Sequence, residues 1–380
     1  MKKGFLLFCI SLVVLLVACT PKATPAPATS APTAPAKATT PISALPTPTT
    51  QDAAWAKVVE AAKKEGSVSL YSWGLTGDLG VTISKAFKDK YGINVEMTTG
   101  TGAQLVPRIQ AEYRSGQYVA DILEGSPINA IFAKTEKLTQ SFGELPQKAS
   151  KDVWVRDPFL DKEGHIVSFF YTIHGAYINT NLLNPNDAPK SWKALLEPKW
   201  KGKMVVPDPD SMPTANQLYV VLTRQLGFTD DFFRDLAKQD LLISPTHPEA
   251  DAVLGRGQAS INLASSLSTM APMIVQGAPI VPIAMTEGVP SPDGSALNLM
   301  AKAPHPNASR LFADWLISKE GQELHAKTRS VPSVRKDVAD YRPQATRINY
   351  TKLVPMSEED WNEGARVQRE KVLSKLGWKR

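Results

Sequence analysis

Ser265-Ser266 places two adjacent hydroxyls at the end of the run Ile261-Asn262-Leu263-Ala264 and ahead of a segment of helical composition. A hydroxyl pair at a helix N-terminus, where backbone N–H groups are free and the helix dipole is positive, suits an anion. Four other stretches carry related chemistry. Tyr71-Ser72-Trp73-Gly74 follows a short apolar run, with Ser72 as a hydroxyl donor and Trp73 as a wall. Gly100-Thr101-Gly102-Ala103 allows close backbone approach to a ligand. As a dinucleotide fingerprint it fails, because Leu105 stands where the third glycine belongs. Glu124-Gly125-Ser126 supplies a hydroxyl and a carboxylate, the latter a cation ligand or a rim charge. Asp208 to Thr214 brings Ser211 and Thr214 to the start of another helical pattern. Plainer roles compete at each place: a core aromatic at Trp73, a tight turn at Gly102, and an N-cap with proline at the first helical position at Ser126.

Catalytic constellations are weak. The five histidines are scattered, and neither a metalloprotease HExxH, a P-loop nor a GxSxG elbow is present. Ser333 and Lys336 have SxxK spacing without the partner motifs of penicillin-binding enzymes. The residues therefore point to binding without catalysis, and no cofactor or resident metal is expected. An extracytoplasmic hydrolase on the same plan is the alternative of another class. A metal set drawn from Tyr71, Tyr171, His174 and Tyr177 is a further alternative.

The elements that must position these residues alternate regularly. A helix from Asp52 to Lys64 leads to a strand at Val68–Tyr71, a helix at Asp78–Tyr91 and a strand through Ile93, Val95 and Met97. A helix at 104–114, a strand at 118–123 and a helix from Pro127 follow. This is βαβαβα, the pattern of a parallel sheet covered by helices. Two extended segments, 167–171 and 176–178, separate it from a second α/β unit, and Pro279 to Ile283 is another extended crossover. Two crossings around a middle unit give an α/β fold of two lobes, each a mainly parallel sheet flanked by helices, joined by two hinge strands. In open sheets of this kind ligands bind at the carboxyl ends of the strands.

The N-terminus is a separate matter. Lys2 and Lys3 precede an uncharged apolar run from Gly4 to Ala18, shorter than the roughly 20 residues of a membrane span and typical of a secretory leader. Leu16-Val17-Ala18-Cys19 matches the lipobox of bacterial lipoproteins, which implies lipidation of Cys19 and anchoring to the outer face of the cell membrane. The Pro-, Thr- and Ala-rich stretch from 19 to 51 reads as a linker. With the leader gone, the formal charge falls from +6 to +4, too mild for nucleic acid to be the main partner. The basic tail from Tyr341 to Arg380 reads as a solvated helical face. The expected organisation is leader 1–18, linker 19–51, lobe 1 from 52 to 174, lobe 2 from 175 to 282, then the rest of lobe 1 and a helical tail from 283 to 380.

Several stretches together resemble the family 1 extracellular solute-binding proteins of bacterial ABC transporters, in the subgroup of ferric-iron and small-anion binders. They are VSLYSW at 68–73, Tyr91-Gly92-Ile93-Asn94-Val95, Ala120-Asp121-Ile122, Tyr177-Ile178-Asn179-Thr180, WKALLEPKWKGK at 192–203 and APHPNASRLFADWLISKEGQ at 303–322. The resemblance implies a two-lobe periplasmic-binding-protein type II fold that closes on a small solute. It also implies an ABC permease and ATPase as partners, a monomeric binder, and Tyr177 among the ligand contacts. A sensor docking on a receptor is the variant of that role. Ferric members of the family supply an adjacent tyrosine pair near residues 265 and 266, where this chain has Leu263-Ala264-Ser265-Ser266-Leu267-Ser268. Hard Fe(III) requires anionic oxygen ligands, so the departure favours a small organic anion over iron.

Overall fold

Alternating apolar positions build the strands, and the four-residue spacing of Leu79, Ile83 and Phe87 builds the helix that covers them. The computed structural model describes residues 50–379; the leader, Cys19 and nearly all of the linker lie outside the described residues.

The chain runs α1 (Thr50–Glu65), β1 (Ser67–Ser72), α2 (Gly77–Tyr91), β2 (Asn94–Thr99), α3 (Gly102–Arg114), β3 (Ile122–Gly125), α4 (Pro127–Thr135), β4 (Thr139–Gln140) and β5 (Ile166–Tyr171). It continues with β6 (His174–Asn179), β7 (Met204–Pro207), α5 (Pro213–Gln225), α6 (Asp230–Ala237), β8 (Leu242–Ser244), α7 (His247–Gly255), β9 (Ile261–Ser266), α8 (Leu267–Val275) and β10 (Ile280–Pro282). The return comprises β11 (Val289–Pro290), β12 (Asp293–Met300), α9 (Pro306–Leu316), α10 (Lys319–Arg329), β13 (Leu353–Val354), α11 (Glu358–Arg369) and α12 (Val372–Lys375).

Two sheets form the two lobes. The first has the order β2-β1-β3-β12-β4, with β5 also on β12; the second has the order β10-β6-β9-β7-β8. Both are mixed. The β1–β2, β1–β3, β7–β8 and β7–β9 pairs are parallel, as the alternating pattern predicts. Strands at or next to a crossing run the other way: β12 is antiparallel to β3, β4 and β5, and β6 is antiparallel to β9 and β10. Of these, β6 and β12 enter their sheets from the other lobe, so the parallel character of the two sheets is confined to the βαβ units.

Aromatic packing joins α2 and α9 on the first sheet. Phe87 meets Phe312 edge to face at 5.1 Å and Trp315 at 5.4 Å. Glu65 at the end of α1 accepts from the Ala308 amide at 2.7 Å and from Asn307 Nδ2 at 2.7 Å, capping α9.

The tail departs from its expected solvated state. Trp361, Gly364 and Val367 are buried on one face of α11, and Trp378 is fully buried. Asp360 takes Arg224 Nε of α5 at 2.7 Å, while Trp361 lines a small cavity with Ile131 of α4. Helix α11 thus touches both lobes. Its charge pattern hid a buried stripe at three-residue spacing.

Asp314 on α9 carries a stability prediction. Burial pushes its carboxyl up to about 6, although the Gln147 amide at 2.9 Å pulls the other way. An acid with a raised folded pKa contributes stability below its unfolded pKa and loses it as pH rises through the folded one. Urea unfolding should therefore show Asp314→Asn more stable than wild type at pH 7 by about 2–3 kcal/mol, with the difference vanishing below pH of roughly 4.

Candidate functional site

The loop after β1 is the first place where an anion was expected, and the chain's own carboxylate fills it. Glu124, the third residue of β3, is fully buried. Its Oε2 accepts from Ser72 Oγ at 2.6 Å and from the amides of Trp73, Gly74 and Leu75 at 3.0, 2.7 and 3.3 Å. Its Oε1 accepts from Ser295 Oγ of β12. Glu124 is therefore no rim charge. Gly74 lets the carboxylate come close, because a Cβ would stand 2.9 Å from Glu124 Oε1 and push it from its donors. Ser72 is buried within this arrangement, whereas Trp73 remains 46% exposed.

The remaining lobe 1 candidates are dispersed. Tyr71 is buried with the α3 residues Leu105, Val106 and Ile109; its hydroxyl donates to Glu112 at 2.6 Å, and burial pushes it up to about 12. Thr101 is exposed, its amide donating to Gln104 Oε1 at 2.9 Å. Gly102 makes room for a neighbour: a Cβ would fall 1.9 Å from Asn129 Nδ2. Ser126 is the half-buried N-cap of α4.

The second lobe is different. Ser265 is fully buried and donates to Asp251 Oδ1 at 2.8 Å, and Ser266 shares its hydroxyl with Thr172 and Ser268 at 2.8 Å each. Ser211 is exposed beside α5. Around these lies a set of buried polar atoms with no hydrogen-bond partner: His174 Nδ1, Tyr177 OH, Thr214 Oγ1, Gln217 Oε1, His247 Nε2 and Tyr350 OH. Thr214 and Gln217 stand one turn apart at the N-terminus of α5, and His247 opens α7. The His174 ring feels both Gln217 and His247, and burial holds it down at about 3, so it is neutral through the physiological range. Asp251 ties the group together by accepting from Asn262 Nδ2 at 2.9 Å and Ser265 Oγ at 2.8 Å and pairing with His247 Nδ1 at 3.1 Å. Burial drives the Tyr177 hydroxyl well above its ordinary pKa, reinforced by Tyr350 and Asp251.

Unsatisfied buried polar atoms cost about 1–3 kcal/mol each, so a group of them marks a place where a polar guest would complete the bonds. This set, on β6 and at the N-termini of α5 and α7, is the candidate cradle. The sequence pattern of the bacterial extracellular solute-binding proteins matches residues 82–352. The chain belongs to that family.

This solute-binding protein is similar to others in sequence and in fold. A probable ABC transporter periplasmic-binding protein of Sinorhizobium fredii is 26% identical over 310 residues, covering 75% of this chain and 79% of that one. The iron-bound HitA structure from Pseudomonas aeruginosa superposes with a TM-score of 0.66 at 18% identity, over 82% of this chain and 99% of the other. AfuA from Actinobacillus pleuropneumoniae, solved with fructose-6-phosphate, gives 0.62 at 22% identity, over 82% and 97%. These likenesses establish the type II periplasmic-binding-protein fold.

Of the predicted residues, Tyr177, Thr214, Ser265 and Ser266 lie in or beside this candidate cradle of the solute-binding protein. Gln217 and His247 escaped sequence reading. Gln217 lies at i+3 from Thr214 on a helix whose start was recognised, while His247 sits on α7, a nine-residue helix not anticipated. Thr246-His247-Pro248 was the available signal: Thr246 caps α7 by accepting from the Glu249 amide, with proline in the first turn. The tyrosines of the alternative metal set lie in separate packing clusters, with Arg156 over the Tyr171 ring at 4.3 Å. Among the described residues, no group of three or more His, Cys, Asp or Glu side chains could hold a metal ion.

Proposed function

We propose that this solute-binding protein captures a small organic anion between its lobes and delivers it to an ABC permease driven by an ATPase. It acts as a monomer outside the cell membrane, anchored through Cys19, and binds without catalysing a reaction. The lobe 2 cradle carries this reading: the buried, unpartnered hydroxyls of Tyr177 on β6 and Thr214 at the N-terminus of α5, with the His174 ring beside them. Hydroxyl donors and a helix N-terminus suit a carboxylate or phosphonate. Asp251 turns its oxygens to Asn262, Ser265 and His247, which satisfy its hydrogen bonds within the protein. Iron fits poorly. Serines stand where a phenolate pair would be needed, and burial keeps the Tyr177 hydroxyl protonated.

A thermal-shift screen over carboxylates, phosphonates, polyamines, sugars and ferric chelates tests the assignment. The melting temperature should rise with an organic anion, and ferric iron should give no visible phenolate band. A strong band would overturn the assignment, as would stabilisation by polyamines alone.

A further inference from the structure

We propose that Glu124 is a resident occupant of the anion site of lobe 1 and a specificity-determining residue that reserves this lobe for an uncharged part of the solute. The inference rests on the lobe 2 cradle as the place where the solute's charge is held.

Three successive amides and a hydroxyl converge on Glu124 Oε2, and a further hydroxyl takes Oε1. A bound carboxylate or phosphate receives this same set of donors from a loop that leads into a helix. The carboxylate is covalently supplied from the neighbouring strand, and β3 pairs with β1 in register at Ser72 opposite Glu124. The partly buried Arg329 also faces this loop: its guanidinium reaches the Gly74 carbonyl at 3.5 Å, and Glu124 opposes the effect of burial on its charge, although its Nε has no partner. A second anion brought to the loop would find its donors used and a negative charge already present. Trp73, exposed on the same turn, offers an aromatic face instead. A solute with one anionic end in lobe 2 and an apolar or planar end on Trp73 satisfies both halves; one anionic at both ends does not.

Glu124→Ala empties the site without adding bulk. Formate should raise the melting temperature of this variant and leave wild type unmoved, and a crystal of the variant grown in formate should show the anion between Ser72 and the amides of Trp73 to Leu75. If the variant folds poorly, its refolding yield in formate against chloride at equal ionic strength gives the same readout. In the variant, succinate should gain at least tenfold in affinity over acetate relative to wild type. Absence of rescue would reduce Glu124 to a structural tie and overturn the proposal. Rescue without a change in the succinate preference would overturn the specificity role. Formate rescue is read at lobe 1 alone, so it stands or falls separately from the lobe 2 cradle.

Discussion

Replacing Thr214 by Val should sharply weaken solute binding and at the same time make the unliganded protein more stable. Most binding-site variants lose on both counts. Here an unpartnered atom reverses the second sign, because Thr214 Oγ1 is buried without a hydrogen bond. Such an uncompensated group costs about 1–3 kcal/mol, which an apolar side chain of similar shape does not incur. Urea denaturation of the variant should show a gain of about 1 kcal/mol or more, while calorimetric titration with whichever anion emerges from the screen shows at least a tenfold loss. A destabilised variant would mean that the hydroxyl has a partner after all. Retained affinity would place the solute elsewhere.

The second large effect concerns the tail. Trp378→Ala should cost about 3–5 kcal/mol, the range for a large aromatic removed from a packed interior. Trp378 is fully buried, donates its indole N–H to the Phe233 carbonyl at 2.9 Å and stacks obliquely on the Phe233 ring at 5.8 Å. Solute affinity should stay within about twofold of wild type, because the indole packs on α6 and none of its partners belongs to the cradle. Equal stability of the variant and wild type in urea would show that the tail is dispensable.

Much of the architecture was legible before any coordinates. The spacing of Leu79, Ile83 and Phe87 located α2, the runs 167–171 and 176–178 located β5 and β6, and the family's segment at 303–322 located α9. These signals are local, and local periodicity survives in sequence. Strand direction in the crossings was not visible, since antiparallel pairing of β12 with β3 joins residues more than 170 positions apart. The tail misled through composition: charges on the exposed face of α11 outnumber the buried Trp361 and Val367, and a mean taken over the segment hides the stripe.

The site was legible in kind but not in detail. Ser72 and Ser265 stand at strand ends as expected, yet each hydroxyl is given to a carboxylate of the same chain, Glu124 and Asp251 respectively. Sequence shows donors, but it does not show which acceptors the fold will bring to them. Glu124 lies 52 residues from Ser72, and nothing in either segment announces the pairing. Thr214 was found because it precedes a helix; His247 was missed because its helix is short and only weakly amphipathic.

Strand β12, near residue 300, sits in the middle of the first sheet between β3 and β4 and also carries β5. As the polypeptide emerges from the ribosome, β1, β2 and β3 can pair, but β3, β4 and β5 lack their shared neighbour until some 120 further residues have been made. The segment from His174 to Pro282 holds every strand of its own sheet and can be completed first. Contacts of such long sequence separation form slowly. A chain built this way leaves one edge of its first sheet unpaired until late in synthesis.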